Sequence, residues 1–254
     1  MLVPDAARIS EIRIQPAVDI RLLRLSVTLL VVGWVLLAVT TIGLHPGGKA
    51  TWEATFAGYA ASQDWAAVHL GEFVGTGLFL AGLLVLYFAL NVLDGPARWL
   101  GFFGAASAGV TLALAGVLYA VDGVALKHAV DAWASAQAAE KATSYSSVLA
   151  IRWLEWGVTS YQNFLWGLTL ALFGSAIAST ARITRPIGYL MALSGVAIFL
   201  LGWLVGTRGF TSANTLPEYA RDGLTTAWLI WLLISAARLP GSQRITSERL
   251  AKGL

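Results

Sequence analysis

Three pairs of ionisable residues repeat one spacing: His69 with Glu72, His128 with Asp131, and Arg152 with Glu155, each i,i+3. On a helix, that spacing sets both side chains on one face. Two imidazoles and three carboxylates form a ligand set suited to zinc, iron or manganese. His69, Glu72, His128, Asp131 and Glu155 are therefore the candidate metal ligands, with Arg152 as counter-ion or anion contact. Asp122 and Lys127 join them from the segment "DGVALKHAVDAW" (122–133), in which four of twelve residues are ionisable. The candidate ligand-binding set is thus His69, Glu72, Asp122, Lys127, His128, Asp131, Arg152 and Glu155.

Several chemistries fit these residues. A divalent metal comes first. Carboxylate-bridged di-iron bundles use Glu-x-x-His on two helices and a further Glu on each of two others; here the order is reversed and one carboxylate is missing, so only the ligand types are shared. Haem comes second, with His69 and His128 as axial ligands, although His128 lies beyond its apolar run. The same polar groups among several Trp would also bind a lipid headgroup, a quinone or a small polar molecule. Taken singly, each pair has a plainer role as an ion pair that fixes helix register, and Lys127–Asp131 reads as an i,i+4 surface pair.

The elements that must position these residues are apolar helices. Of 254 residues, 57% are hydrophobic and 12% charged, against about 25% charged in an average soluble domain. Mean hydropathy is +0.70. Six runs approach or exceed the roughly 18 residues that mark a membrane helix: Leu23–Leu44, Trp65–Leu93, Trp99–Val121, Val148–Ala178, Pro186–Thr207 and Leu224–Leu239. The last is the shortest and has room to begin nearer Pro217, a residue suited to a first helical turn. The expected fold is all-α: an integral membrane bundle of six transmembrane helices spanning 23–239. A short N-terminal segment (1–22) and a tail (240–254) flank it. The first apolar run is too long for a signal-peptide core and reads as an uncleaved span.

Charge sets the expected orientation. Six spans put both termini on one side. That side carries eleven Lys and Arg, against five on the other: Lys49, Lys127, Lys141, Arg208 and Arg221. The positive-inside rule places the termini in the cytoplasm. The net charge of +3 is scattered, so no nucleic-acid partner is implied; the partners expected are the bilayer, and a small molecule, lipid or partner membrane subunit. With no cysteine in the chain, disulfides and thiolate metal sites are excluded. Gly71-x-x-x-Gly75, and Gly101, Gly104, Gly109 and Gly116, let helices approach closely in lipid.

On this topology most ionisable residues near the spans fall toward the outer face. All three histidines lie there: His45 after the first span, His69 in the second, and His128 after the third. Glu72 sits seven residues past Trp65, about 10 Å along a helix. A carboxylate at that depth costs a few kcal/mol in hydrocarbon and must face a partner inside the bundle. Thr159 and Gln162 continue the Glu155 face inward.

Named activities fail on the residues. Six spans and the "LSG" at 193–195 resemble rhomboid proteases, but no histidine follows His128. "DGVALK" partly resembles the core motif of CDP-alcohol phosphatidyltransferases, but the other aspartates of that motif are missing. No Walker motif or nucleophile elbow occurs, and no repeat of broken helices marks a transporter. Two stretches, "VDGVALKHAVDAWASA" (121–136) and "IRWLEWGVTSYQNFLWG" (151–167), resemble multi-pass membrane proteins of bacteria, chiefly of actinobacterial type, to which no activity attaches. The resemblance covers about a quarter of the chain or less and implies a bacterial plasma membrane. The expected function is binding of a small ligand or metal at an outward-facing polar site. The alternatives are a non-catalytic assembly subunit and a transporter.

Overall fold

Asp19 opens the first helix. Its carboxylate accepts the backbone N–H groups of Arg21 at 2.9 Å and Leu22 at 3.1 Å, donors that have no partner within the helix. The helix, α1 (Ile20–Ala38), runs on into a π-helical turn, Val39–Leu44. A short helix α2 (Trp52–Ala61) comes next, then the long α3 (Trp65–Leu90) and α4 (Gly95–Ala120). A second π-helical turn, Val121–Leu126, joins α4 directly to α5 (Lys127–Ser135). The chain continues through α6 (Lys141–Thr180), α7 (Arg185–Arg208) and α8 (Thr215–Arg238). This computed structural model describes residues 18–92, 94–180 and 182–239. Among them every regular element is helical. The predicted tail (240–254), most of the N-terminal segment and Leu93 lie outside the described residues.

Five stretches are long and apolar enough to cross a membrane: Ile20–Leu44, Trp65–Leu90, Gly95–Ser135, Lys141–Thr180 and Arg185–Arg208. They mark the chain as a membrane protein. The sixth predicted run lies within α8, which begins at Thr215 rather than Leu224, with Pro217 in its first turn. Glu218, Arg221 and Asp222 occupy the opening turns of α8 and dilute its apolar character. Exposed Phe102, Phe103, Phe199 and Trp203 face away from the bundle, as lipid-facing side chains do.

Neighbouring helices run antiparallel and interlock at glycines. A Cβ on Gly33 of α1 would lie 2.6 Å from the Phe79 nitrogen and 2.7 Å from the Gly75 carbonyl oxygen of α3. On Gly167 it would lie 2.5 Å from the Gly195 carbonyl oxygen, joining α6 to α7. Gly71 and Gly75 do pack on the first span, against Thr40 and Leu37. In α4, Gly101 receives the Tyr87 ring and Gly104 the Phe173 ring, whereas Gly109 meets open space. Close backbone approach replaces the hydrophobic driving force that is absent between helices in lipid.

The main core is aliphatic and aromatic, around Phe79, Leu83, Phe173 and Trp228. A second, separate core lies at one end of the bundle. There Phe56 and Tyr59 of α2 pack with Trp65, Leu126, Val130, Trp133 and Val148. This cap covers the end where α3 and α6 begin and α1 and α4 finish. His69, Glu72, Asp122, Arg152 and Glu155 lie at this end of the bundle.

Candidate functional site

His69 lies in the second turn of α3 and is 2% exposed. Its Nδ1 is 2.7 Å from the Trp65 carbonyl oxygen, one turn back. A carbonyl only accepts, so Nδ1 carries a hydrogen and donates. Its Nε2 is 3.1 Å from Asp122 Oδ2. A neutral imidazole has one N–H, so His69 faces two acceptors and satisfies one. A second proton, or a cation between Nε2 and the carboxylate, resolves the conflict. Donation of the other ring N–H to a backbone carbonyl is what orients a metal-ligating histidine.

Asp122 reaches this position from the second π turn. Its backbone carbonyl accepts the Trp65 indole N–H at 3.2 Å, which ties the turn to α3. Gly123 makes the approach possible: a Cβ there would sit 2.8 Å from His69 Cβ. The other carboxylate oxygen of Asp122, Oδ1, is buried and has no partner.

His45 comes directly after the first π turn, its backbone N–H bonded to the Thr40 carbonyl at 2.8 Å. Its ring packs 5.2 Å from that of His69, 5.3 Å from Trp65 and 6.0 Å from Tyr59. Burial holds its pKa below the ordinary value; the charge of Asp122 opposes this, and His69 and Arg152 add to it. His45 is therefore a neutral imidazole at pH 7, the form that binds a metal. One ligand atom each from His45, His69 and Asp122 lie within 4.8 Å of one another. Both π turns thus deliver a ligand, and π-bulges recur at functional sites.

The other carboxylates and the guanidinium surround this cluster. Glu72 is buried and accepts a hydrogen bond from Thr41 Oγ1 at 2.9 Å; Thr41 is in the first π turn. Arg152 and Glu155, on the first half of α6, are buried and form an ion pair with each other. The Arg152 guanidinium lies 4.9 Å from the Phe210 ring, 5.7 Å from Tyr59 and 6.0 Å from Trp52. Burial raises the Tyr59 pKa; Arg152 lowers it, while Glu155 and Asp122 add to the rise. Tyr59 is thus a neutral phenol between the cluster and the cap.

The third expected pair is placed elsewhere. The 122–133 segment is helical, as the i,i+3 reading of His128 and Asp131 requires, but His128 and Asp131 are both exposed and lie outside the close cluster. Asp131 pairs with Lys127 at 2.8 Å, the i,i+4 surface pair. Lys127 Nζ also donates to the carbonyls of Ala60 at 2.8 Å and Tyr59 at 3.3 Å, so it caps the end of α2. Of the five expected metal ligands, then, only His69 belongs to the close cluster. Glu72 and Glu155 border it, and His128 and Asp131 do not reach it. The haem pairing of His69 with His128 finds no support, since His69 turns its Nε2 to Asp122 instead. His45 and Asp122 complete the cluster. Asp122 belongs to the wider ligand-binding set expected from the sequence; His45 is visible there only as one more outer histidine, without an i,i+3 partner.

The fold and cluster define a class: a helical membrane protein with a half-buried His/Asp cluster under an aromatic cap at one end. No family model, curated protein or solved structure matches the chain.

Proposed function

We propose that this is a bacterial plasma-membrane protein that crosses the bilayer six times, with both termini in the cytoplasm. We propose further that its outer end binds a divalent first-row metal, zinc foremost, through His45, His69 and Asp122. The observation that carries the reading is the convergence of three ligand atoms within 4.8 Å. Two imidazoles and a carboxylate with a fourth position open are a ligand set of catalytic zinc sites. The doubled acceptors around His69 support the reading, because a cation at Nε2 removes the conflict.

Charge supports it too. Three carboxylates, Glu72, Asp122 and Glu155, and one guanidinium, Arg152, surround the cluster, so a cation there meets more acceptors than competing positive charge. Burial of these groups favours a binding site over the exposed docking face of an assembly subunit. The six-span topology is supported by the Lys and Arg bias and by the reach of α8. Its 24 residues extend about 36 Å, with Trp228, Leu229 and Leu232 turned into the bundle and Ile230, Leu233 and Ile234 exposed.

The test is elemental analysis and Co²⁺ titration of the full chain purified in detergent. One metal per chain is expected, lost in His45→Ala and in His69→Ala and retained in His128→Ala. Unchanged binding in His45→Ala would overturn the assignment.

A further inference from the structure

The metal reading leaves three buried polar atoms without a partner in the same neighbourhood: Asp122 Oδ1, Arg152 Nε and Trp156 Nε1. Native proteins pair nearly all such atoms, and each exception calls for an explanation.

Arg152 is the clearest case. It is 7% exposed, and its position is over-determined. Three rings surround the guanidinium, and Glu155 engages one terminal nitrogen. A cation held that firmly still leaves its Nε–H with no acceptor. Trp156 belongs to the same assembly: its ring lies 5.6 Å from Trp52 and 6.4 Å from Phe210, two of the rings that hold Arg152. Its indole N–H is buried and also unpaired. Arg152 is also within electrostatic reach of both Asp122 and His45. One orphan donor thus sits on a cation that acts electrostatically on two of the proposed ligands, the second sits in the same aromatic assembly as that cation, and one Asp122 oxygen is also without a partner.

We infer that Arg152 and Trp156 form an anion subsite beside the metal, for a carboxylate or phosphate that binds one oxygen at the open metal position and offers the others to Arg152 Nε and Trp156 Nε1. The inference rests on the metal reading. An oxyanion is the ligand that two donors and a Lewis acid share, and arginine donors suit its planar or tetrahedral array of oxygens. The Glu155 ion pair does not compete, because it uses the guanidinium terminus and leaves the Nε edge free. Free small anions and the phosphate of a lipid headgroup share this chemistry.

The probe is the visible spectrum of the Co²⁺-loaded full chain in phospholipid-free maltoside detergent. It is titrated separately with acetate, inorganic phosphate and dihexanoyl phosphatidylglycerol. A saturable shift of the cobalt bands is expected. Acetate or inorganic phosphate acting alone identifies a free anion; a response to the short-chain lipid only identifies a headgroup. Arg152→Gln, loaded to the same Co²⁺ absorbance as wild type, is expected to weaken the anion about tenfold or more, the usual loss for one charge-assisted hydrogen bond. Trp156→Phe keeps the ring, removes the donor and is expected to weaken the anion severalfold; it decides the matter if Arg152→Gln fails to fold. Cobalt bands indifferent to all three probes, or both variants titrating like wild type, would overturn the subsite and leave the metal site standing. Wild type that binds no cobalt would overturn the metal reading, and the subsite with it.

Discussion

The site depends on how closely the second π turn approaches α3, and Gly123 sets that distance. A Cβ at position 123 would lie 2.8 Å from His69 Cβ and 3.2 Å from His69 Cγ. Carbon atoms in contact settle near 3.5–4.0 Å, so Gly123→Ala forces the turn and α3 apart by roughly 1 Å. The atom displaced with the turn is Asp122 Oδ2, now 3.1 Å from His69 Nε2. Metal–ligand distances hold within about 0.2 Å, so the cluster relaxes or loses a ligand. Overpacking of this kind costs about 1–3 kcal/mol. The metal-free protein sheds that strain by letting Asp122 withdraw, and metal binding must restore it; at 1.4 kcal/mol per decade, full restoration corresponds to about a 5- to 150-fold loss of metal affinity. The assay is Zn²⁺ competition against a chromophoric chelator on detergent-purified protein, at a temperature where circular dichroism shows the variant folded. Gly109→Ala is the control. It lies in α4, which leads into the same π turn, but its added methyl meets nothing within 4 Å, and binding is expected to match wild type. Gly123→Ala binding zinc within about twofold of wild type would refute the reasoning, because the close approach would then not set the ligand geometry.

Three other outcomes are expected from the same structure. Lys127→Met removes the ammonium that caps α2 through Tyr59 and Ala60; hydrogen bonds to a charge contribute about 1.5–3 kcal/mol, so amide exchange in 52–61 is expected to rise about tenfold or more, and unchanged exchange would show that the aromatic core alone holds the cap. Glu155→Gln leaves Arg152 a buried cation without its partner and is expected to cost about 3–5 kcal/mol, whereas the double change Arg152→Met, Glu155→Met costs less; thermal unfolding of the two variants in the same detergent gives the order. The absence of cysteine allows single-cysteine mapping of topology: Ala138→Cys is expected to react with an impermeant maleimide in intact cells and Thr184→Cys only after lysis, and the reverse pattern would invert the proposed orientation.

Much of this architecture is legible in the sequence because membrane helices declare themselves by length and composition. The apolar runs fall on α1, α3, α4, α6, α7 and α8, and Gly71-x-x-x-Gly75 marks a real close contact. Helices that composition does not single out escape such a reading. Nothing apolar enough distinguishes α2, although Thr51 caps it by accepting the Ala54 N–H at 3.2 Å and Glu53 stands in its first turn. The opening turns of α6, ahead of Val148, are too polar to count toward a span. Spacing finds Arg152–Glu155, because both lie on one regular helix. Spacing also proposes His128–Asp131, where no shared partner meets the pair. An i,i+3 rule reports a shared face and not the direction in which that face points; direction depends on what α5 packs against, which is settled by Val130 and Trp133 turning into the cap core.

His45 shows a deeper limit. It has no periodic partner, because it enters the site just past a helix's end, after a π turn, a feature without a sequence signature. Asp122 is delivered from a π turn as well. A regular α-helix offers side chains only at fixed angular steps, so two regular helices meeting α3 here could not both aim a ligand at His69 without altering their packing farther along. A π turn adds a residue locally and rotates the chain beyond it, while the antiparallel contacts below, such as Gly33 on Phe79, remain undisturbed. The centre is assembled where helices are allowed to be irregular, at the bundle's end, and the aromatic cap then supplies the burial that a helix end would otherwise lack. This arrangement keeps the buried charge apart from the aliphatic core, where α3 continues through Phe79, Leu83 and Leu86 with no ionisable residue between them.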